Sequence, residues 1–238
     1  MPQRENAPAN SHFNLLVSIG VPQELLDLAA FDESDCTLLY QRLQAPMSKK
    51  QFKPSLKINQ LGQLLLLTGR SELITPTLTP AILSFIDNWG GIASHYAAWS
   101  GNKNLLDWVK IQMPHLLAVR NIIGVTIAHF AALSGSQVTL DWVNTHNSDL
   151  LAVKDENGRT IAHFAAWSGN KDMLDWINDH AFNLLAVKDN AGESIAHYAA
   201  SSGHQEILDW VHINMPDLLN VKDNHDRTIA HDAAMSGN

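Results

Sequence analysis

One histidine recurs at a constant interval of 34 residues, and this period constrains the fold of the chain more than any other feature. The histidines that share the interval are His95, His129, His163, His197 and His231. A tryptophan recurs with the same step from Trp108 to Trp210, and a glycine from Gly101 to Gly237. Self-similarity over this many copies predicts a repeat array, in which each unit is one small supersecondary element.

The third copy of the unit shows what each copy contains. Asp155 and Gly158 are turn-forming residues, and Thr160 follows them at the point where a helix is expected to begin and can cap it. Gly169 suits the left-handed exit from that short helix. A second helix with Leu-Asp-Trp at 174–176 follows. Because a helix pair of this size cannot bury its apolar face alone, we expect the copies to stack.

This pattern resembles the ankyrin repeat, in which a turn is followed by T-P-L-H, by A-A-x-x-G and by a second helix. The tetrapeptide here reads TIAH at 126–129, 160–163 and 228–231, and SIAH at 194–197. Isoleucine replaces the proline, alanine replaces the leucine, and the unit is one residue longer than the usual ~33. A stretch such as AFNLLAVKD replaces the usual turn after the second helix. The sequence therefore does not define the backbone path from the second helix to the next turn. The resemblance implies an all-α ankyrin-repeat solenoid of stacked helix-turn-helix units.

The resemblance divides the chain into three regions. Residues 1–57 are expected to form a small helical N-terminal region with a disordered start. Residues 58–86 are expected to form a degenerate capping repeat that shields the end of the array. The ankyrin repeats themselves are expected at 87–120, 121–154, 155–188, 189–222 and, truncated, 223–238. Because the last unit stops after its first helix, the chain is expected to be a fragment of a longer protein.

The charge and composition argue against several classes of function. The net charge is −8 and the isoelectric point about 5.8, which disfavours nucleic-acid binding because phosphate neutralisation needs clustered Lys and Arg. Cys36 is the single cysteine, so a reducing compartment is expected. The N-terminus has no signal-like apolar segment, and the longest apolar run, at 64–67, is too short to span a bilayer. We expect a monomeric cytoplasmic protein that binds neither nucleic acid nor membrane and needs no cofactor.

The repeated histidine has a chemical and a structural interpretation. A metal ligand or general base is the chemical one. Stacked helices lie about 8–10 Å apart, whereas zinc needs imidazole nitrogens about 2 Å away, so equivalent histidines on neighbouring units are badly placed to share an ion. The favoured interpretation is structural, with ring nitrogens bound to the backbone at each turn and no metal. The tryptophan series is likewise expected in the contacts between units.

Function is expected where the copies differ, at the turn tips and on the inner face of the first helices. The resemblance implies that these surfaces form the concave recognition face. Apolar side chains at such positions mark an interface, and the candidate partner-binding residues of this kind are Trp89, Trp99, Ile122, Ile123, Val125, Leu133 and Trp167. Glu156 and Arg159 are expected to supply polar rim contacts. The alternative is that the N-terminal segment of the same chain covers the apolar face, because intrachain contacts and interfaces have similar composition.

Two classes of function fit these observations. The first is a protein–protein interaction module that binds a protein partner through the concave face and has no catalytic residues of its own. The alternative is the recognition arm of a longer multidomain enzyme or effector, with a catalytic domain beyond residue 238. Arrays resembling this one are common in bacterial effectors, in which case the host cytoplasm is the compartment.

Overall fold

The computed structural model describes residues 66, 79–84, 86–87 and 89–237 of the chain. The chain divides into two compact units, Met1–Phe85 and Ile86–Asn238. The predictions for residues 1–57 lie outside the described residues, as does most of the predicted capping repeat at 58–86. In that segment Thr79–Leu83 form helix α1. The subdivision of residues 1–86 therefore stays a prediction.

The described part of the second unit is built from helices and contains no β-strand. Every repeat contributes a first helix, and the first four repeats also contribute a second helix. The first helices are α2 (Ala93–Trp99), α4 (Ile127–Ser134), α6 (Ile161–Ser168), α8 (Ile195–Ser202) and α10 (Ile229–Ser236). The second helices are α3 (Lys103–Gln112), α5 (Gln137–Asn147), α7 (Lys171–His180) and α9 (Gln205–Asn214). The predicted all-α stack of helix pairs is confirmed.

Local sequence determines where the first helices begin and end. Thr160 is the residue that precedes α6, as predicted, and its backbone is extended. Gly169 follows the last turn of α6 with φ of 73°, a left-handed conformation that a Cβ atom disfavours. Asn170 then starts α7, because its side-chain oxygen accepts the N–H of Met173 at 3.2 Å.

A 3₁₀ helix connects each second helix to the next turn. It defines the backbone path that the sequence alone did not predict. These segments are Pro114–Ala118, Ser148–Ala152, Phe182–Leu184 and Pro216–Asn220. Each buries one leucine, namely Leu117, Leu151, Leu184 or Leu218. At least one leucine of the L-L pair in each unit is therefore a core residue that anchors the connection, and in the third unit both Leu184 and Leu185 are buried.

Small side chains allow successive first helices to pack closely. Ile127 and Ala131 in α4, and Ile161 and Ala165 in α6, are completely buried. First helices of neighbouring units contact each other more extensively than second helices do. The core of the array therefore follows the first helices.

The repeated histidines hold the N-terminus of each first helix. Nδ1 of His129 accepts the backbone N–H of Thr126 at 3.2 Å. Because Nδ1 accepts this bond, the ring proton lies on Nε2, which donates to the carbonyl oxygen of Arg159 in the next unit at 3.3 Å. His163 repeats the Nδ1 bond, to Thr160, but its Nε2 has no partner of normal hydrogen-bond geometry among the described residues. These bonds confirm the structural role of the histidine.

Burial keeps these histidines neutral. The rings of His95, His129 and His163 are almost completely buried, and desolvation lowers the pKa of each from 6.5 to about 4. Backbone carbonyl acceptors and nearby carboxylates raise the pKa but do not offset the burial. Each ring also packs against the aromatic side chain of the next unit; the His129 and Phe164 centroids, for example, lie 4.9 Å apart.

The tryptophans bind the preceding unit through a hydrogen bond that the sequence analysis did not predict. The indole N–H of Trp142 donates to Asp107 at 2.7 Å, and that of Trp176 donates to Asp141 at 2.6 Å. Trp210 makes the same bond to Asp175. The recurring Leu-Asp-Trp is the sequence signal for this bond, because it places an aspartate beside the tryptophan in each of the four copies. The bond to Trp142 lowers the pKa of Asp107.

We expect His129→Ala to lower the free energy of unfolding by about 2–4 kcal/mol, because it leaves the buried Thr126 N–H and the Arg159 carbonyl without their partner. Urea unfolding followed by circular dichroism measures this change. His115→Ala, which alters an exposed histidine, serves as the control. A loss no larger than that of the control would contradict the structural role.

The same histidines should make the array sensitive to acid. Their pKa is lower in the folded chain than in the unfolded chain, so the unfolded state binds more protons as the pH falls from 6.5 toward 4. Stability present above pH 6.5 should therefore decline across this window, by about 3 kcal/mol for each of these histidines. Urea midpoints measured across the window should fall less steeply for His129→Gln. An equal slope for both proteins would show that His129 does not titrate as described.

Candidate protein-interaction surface

Each unit begins with a tight turn that is closed by one acid or amide, which is buried or partly buried. Oδ1 of Asp155 accepts the backbone N–H groups of Asn157 and Arg159 at 3.0 and 2.8 Å. The Asp155 N–H in turn donates to the Arg159 carbonyl at 3.0 Å. Asp87, Asn121, Asp189 and Asp223 make the same pair of bonds in the other units. Every turn tip therefore has the same backbone geometry.

Backbone hydrogen bonds join the turn tips into one continuous row. Ile122 donates its N–H to the Trp89 carbonyl at 2.9 Å, and Glu156 donates to the Ile123 carbonyl at 3.0 Å. The next two junctions repeat this bond between Asn190 and Asn157 and between Asn224 and Ala191. The tip side chains are thus presented side by side, one set for each unit.

The second oxygen of the turn carboxylate has a different partner in different units. The guanidinium of Arg159 binds Oδ2 of Asp155 at 2.6 Å, and Arg227 binds Asp223 in the same way at 2.7 Å. In two units the residue four positions after the turn acid is Gly91 or Glu193, not arginine. There a tyrosine hydroxyl replaces the guanidinium. These hydroxyl bonds run from Tyr96 to Asp87 and from Tyr198 to Asp189.

The second unit has neither partner, and there the acid is replaced by an amide. Val125 stands at the arginine position and Phe130 at the tyrosine position. Asn121 makes both turn bonds, and its Nδ2 has no hydrogen-bond partner among the described residues. A neutral amide in this setting costs less than an unpaired buried carboxylate. The absence of an arginine and of a tyrosine at positions 125 and 130 therefore explains why asparagine is present at position 121.

An exposed apolar cluster lies at the N-terminal end of the turn row. Ile122 is 58% exposed and Ile86 is 68% exposed. Trp89 and Ile123 are partly exposed and lie beside Ile122 in the row. We call Ile86, Trp89, Ile122 and Ile123 the apolar tip. Ile86 was missed as a site residue because the sequence analysis assigned it to the capping repeat.

The structure corrects the expected exposure of two candidate residues. Val125 is only 1% exposed, because it closes the turn through backbone bonds to Asn121 and faces inward. Trp99 is 7% exposed, since its ring packs at 5.9 Å from that of Phe130 in the next unit. Leu133 and Trp167 occupy the equivalent first-helix position and remain partly exposed.

The two predicted rim residues differ in their availability. Glu156 is exposed at the third turn tip. The Arg159 side chain is only 15% exposed, because it binds Asp155 and lies over the Phe164 ring at 4.9 Å. The Arg159 guanidinium is thus engaged within the array, and a rim contact from this residue stays a prediction.

The charges at the last two turns form a coupled group. Arg227 bridges Asp223 and Glu193 across the unit boundary, at 2.7 and 2.9 Å. Burial, followed by the charges of Asp189 and Asp232, raises the pKa of Glu193 despite this arginine. Burial also disfavours the charged form of Asp223, but its backbone and guanidinium bonds from Arg227 hold the pKa of that carboxyl below its usual range. The group consolidates the turn row at this end.

Over the described part of the chain, no three histidine, cysteine or acidic side chains are grouped so as to hold a metal ion. The described helices include none that is long and apolar enough to cross a membrane.

The comparison with known families agrees with this geometry. Residues 128–177 match the family model for ankyrin repeats (many copies). These are ankyrin repeats. Ankyrin repeats generally act as protein–protein interaction modules, and the family is typically non-catalytic. None of the curated proteins compared with the chain matches it.

The pairing rule at the turn carboxylate can be tested in the second unit. We expect Asn121→Asp to destabilise the array by about 1–3 kcal/mol at neutral pH, because a buried charge is left without a partner. Adding Phe130→Tyr should restore most of the loss, since it supplies the hydroxyl found nine residues after Asp87 and Asp189. Urea unfolding of the single and double variants gives the coupling. Additive effects of the two changes would contradict the rule.

Proposed function

We propose that the array is a protein-interaction module that binds a protein partner at the apolar tip and along the neighbouring first-helix face. The exposure of Ile122 and Ile86 at this end of the array carries the proposal, since exposed large apolar side chains that are grouped on a surface mark binding sites. Leu133 and Trp167 extend this surface along the first helices, and Glu156 supplies a polar edge. We propose no catalytic role for these residues.

The rigid backbone below the apolar tip supports this function. Each tip is closed by two side-chain hydrogen bonds and is bound to its neighbour by a backbone bond. A preformed surface loses little conformational entropy when a partner binds, so a small number of contacts suffices for specific recognition. Trp89 is the tip residue of the type most common among binding hot spots.

The proposed setting follows from the sequence. A chain with Cys36 as its single cysteine needs no oxidising compartment, and we propose that the array acts as a monomer in a cytoplasm. The net charge of −8 makes a protein partner a better fit than a nucleic acid.

Site-specific photocrosslinking tests the binding surface. A photoreactive residue in place of Ile122 should give a discrete adduct in a lysate of the native cell, and excess unmodified array should compete for it. The same residue in place of Ile213, which is 77% exposed on α9 and distant in sequence from the apolar tip, is the matched control. Adding Ile123→Asp should weaken the adduct more than tenfold, because it places a charge in an apolar contact.

Two results would overturn the proposal. One is equal crosslinking from positions 122 and 213. The other is an adduct at position 122 that survives Ile123→Asp while circular dichroism shows an intact array.

A further inference from the structure

A row of basic side chains runs beside the turn tips. The residue immediately before each turn Asn or Asp is a cation in four consecutive units, and all four are exposed. These residues are Arg120, Lys154, Lys188 and Lys222, which we call the basic row. In the first unit the same position is Ile86 of the apolar tip. The row therefore begins at the apolar tip and continues with one positive charge for each unit.

The cations of the basic row are largely free of acidic partners. Arg120, Lys154 and Lys188 form no salt bridge with another described residue. Lys222 pairs with Asp226 at 3.3 Å, and both side chains are mostly exposed. Arg120 donates to the carbonyl of Lys154 at 2.7 Å, and Lys188 donates to that of Lys222 at 3.4 Å. These side chains therefore lie along the array instead of folding onto neighbouring acids.

The turn carboxylates beside the row are already engaged, whereas Glu156 at the third turn tip is exposed. The turn acids Asp155, Asp189 and Asp223 each accept backbone and side-chain hydrogen bonds. On the second helices, Asp141 and Asp175 bind indoles of the following unit. A chain of net charge −8 thus keeps three successive cations, Arg120, Lys154 and Lys188, without a salt bridge to any described residue.

The spacing of the row selects the shape of its partner. Stacked helices of neighbouring units lie about 8–10 Å apart, and the row has one cation for each unit, so successive cations are separated by about the same distance. A polyproline II chain has three residues per turn and rises about 3.1 Å per residue, so every third side chain returns to one face after about 9 Å. A β-strand alternates its faces with period two and cannot present every third residue to one side.

We propose that the basic row binds an extended, polyproline II-type acidic segment of a protein partner, with a carboxylate at every third residue. This deepens the proposed function and rests on it, because the row continues from the apolar tip. Arg120, Lys154 and Lys188 each bind one carboxylate of the segment as donors. An apolar residue at one end of the segment contacts Ile86 and Ile122.

Fluorescence anisotropy with labelled synthetic peptides tests the inference without a known partner. The probe is Glu-Pro-Pro repeated four times, and the composition-matched control has its four glutamates in one block. At low ionic strength, where exposed charges interact over a longer range, the periodic peptide should bind more tightly than the blocked peptide. Lys154→Glu and Lys188→Glu should each weaken its binding about three- to tenfold.

Lys110→Glu is the matched control variant, because it makes the same change of charge on an exposed lysine of α3. It should leave the affinity unchanged, and circular dichroism should show all three variants folded. Equal binding of the two peptides, or an equal effect of Lys110→Glu, would overturn the inference. Binding of an oligothymidylate in place of the peptide would also overturn it and assign the row to a nucleic acid. None of these outcomes affects crosslinking at Ile122, so the two proposals fail separately.

Discussion

Contact between neighbouring units stabilises this molecule, because no helix pair in it can bury its own apolar face. The first helices supply most of that contact through small alanines and, in α4, α6 and α8, one completely buried isoleucine. The buried histidine adds a bond within the unit and, at His129, a second bond to the next unit. Damage to one unit is therefore expected to weaken its neighbours as well.

Variation among the units follows a physical rule at the turn. A carboxylate is kept where an arginine or a tyrosine reaches its second oxygen, as at the buried Asp155 and the partly buried Asp189. Asparagine replaces it at position 121, where both partners are absent. The differences between copies thus divide into those that compensate one another and those that alter the exposed surface. The side chain of Arg159 belongs to the first kind, and that of Ile122 to the second.

The fold was predictable from the period, because a motif repeated at a fixed interval specifies the same local structure each time. Thr160 and Gly169 fall where turn and capping chemistry placed them. The binding surface was harder to predict, since exposure depends on neighbours that are distant in sequence. Trp99 is covered by contact with Phe130, and Val125 by the closing of its own turn. The Asp–Trp bonds link residues 35 positions apart, and only the stacked geometry shows that they meet.

The indole bonds have a consequence for how the array can be observed. Trp142, Trp176 and Trp210 are each buried at a different junction, with the ring nitrogen bound to a carboxylate of the preceding unit. Separating two units breaks that bond and brings the ring into water. Each of these three junctions therefore carries its own intrinsic fluorophore, and versions of the chain that keep a single indole would report the order in which the first four units come apart.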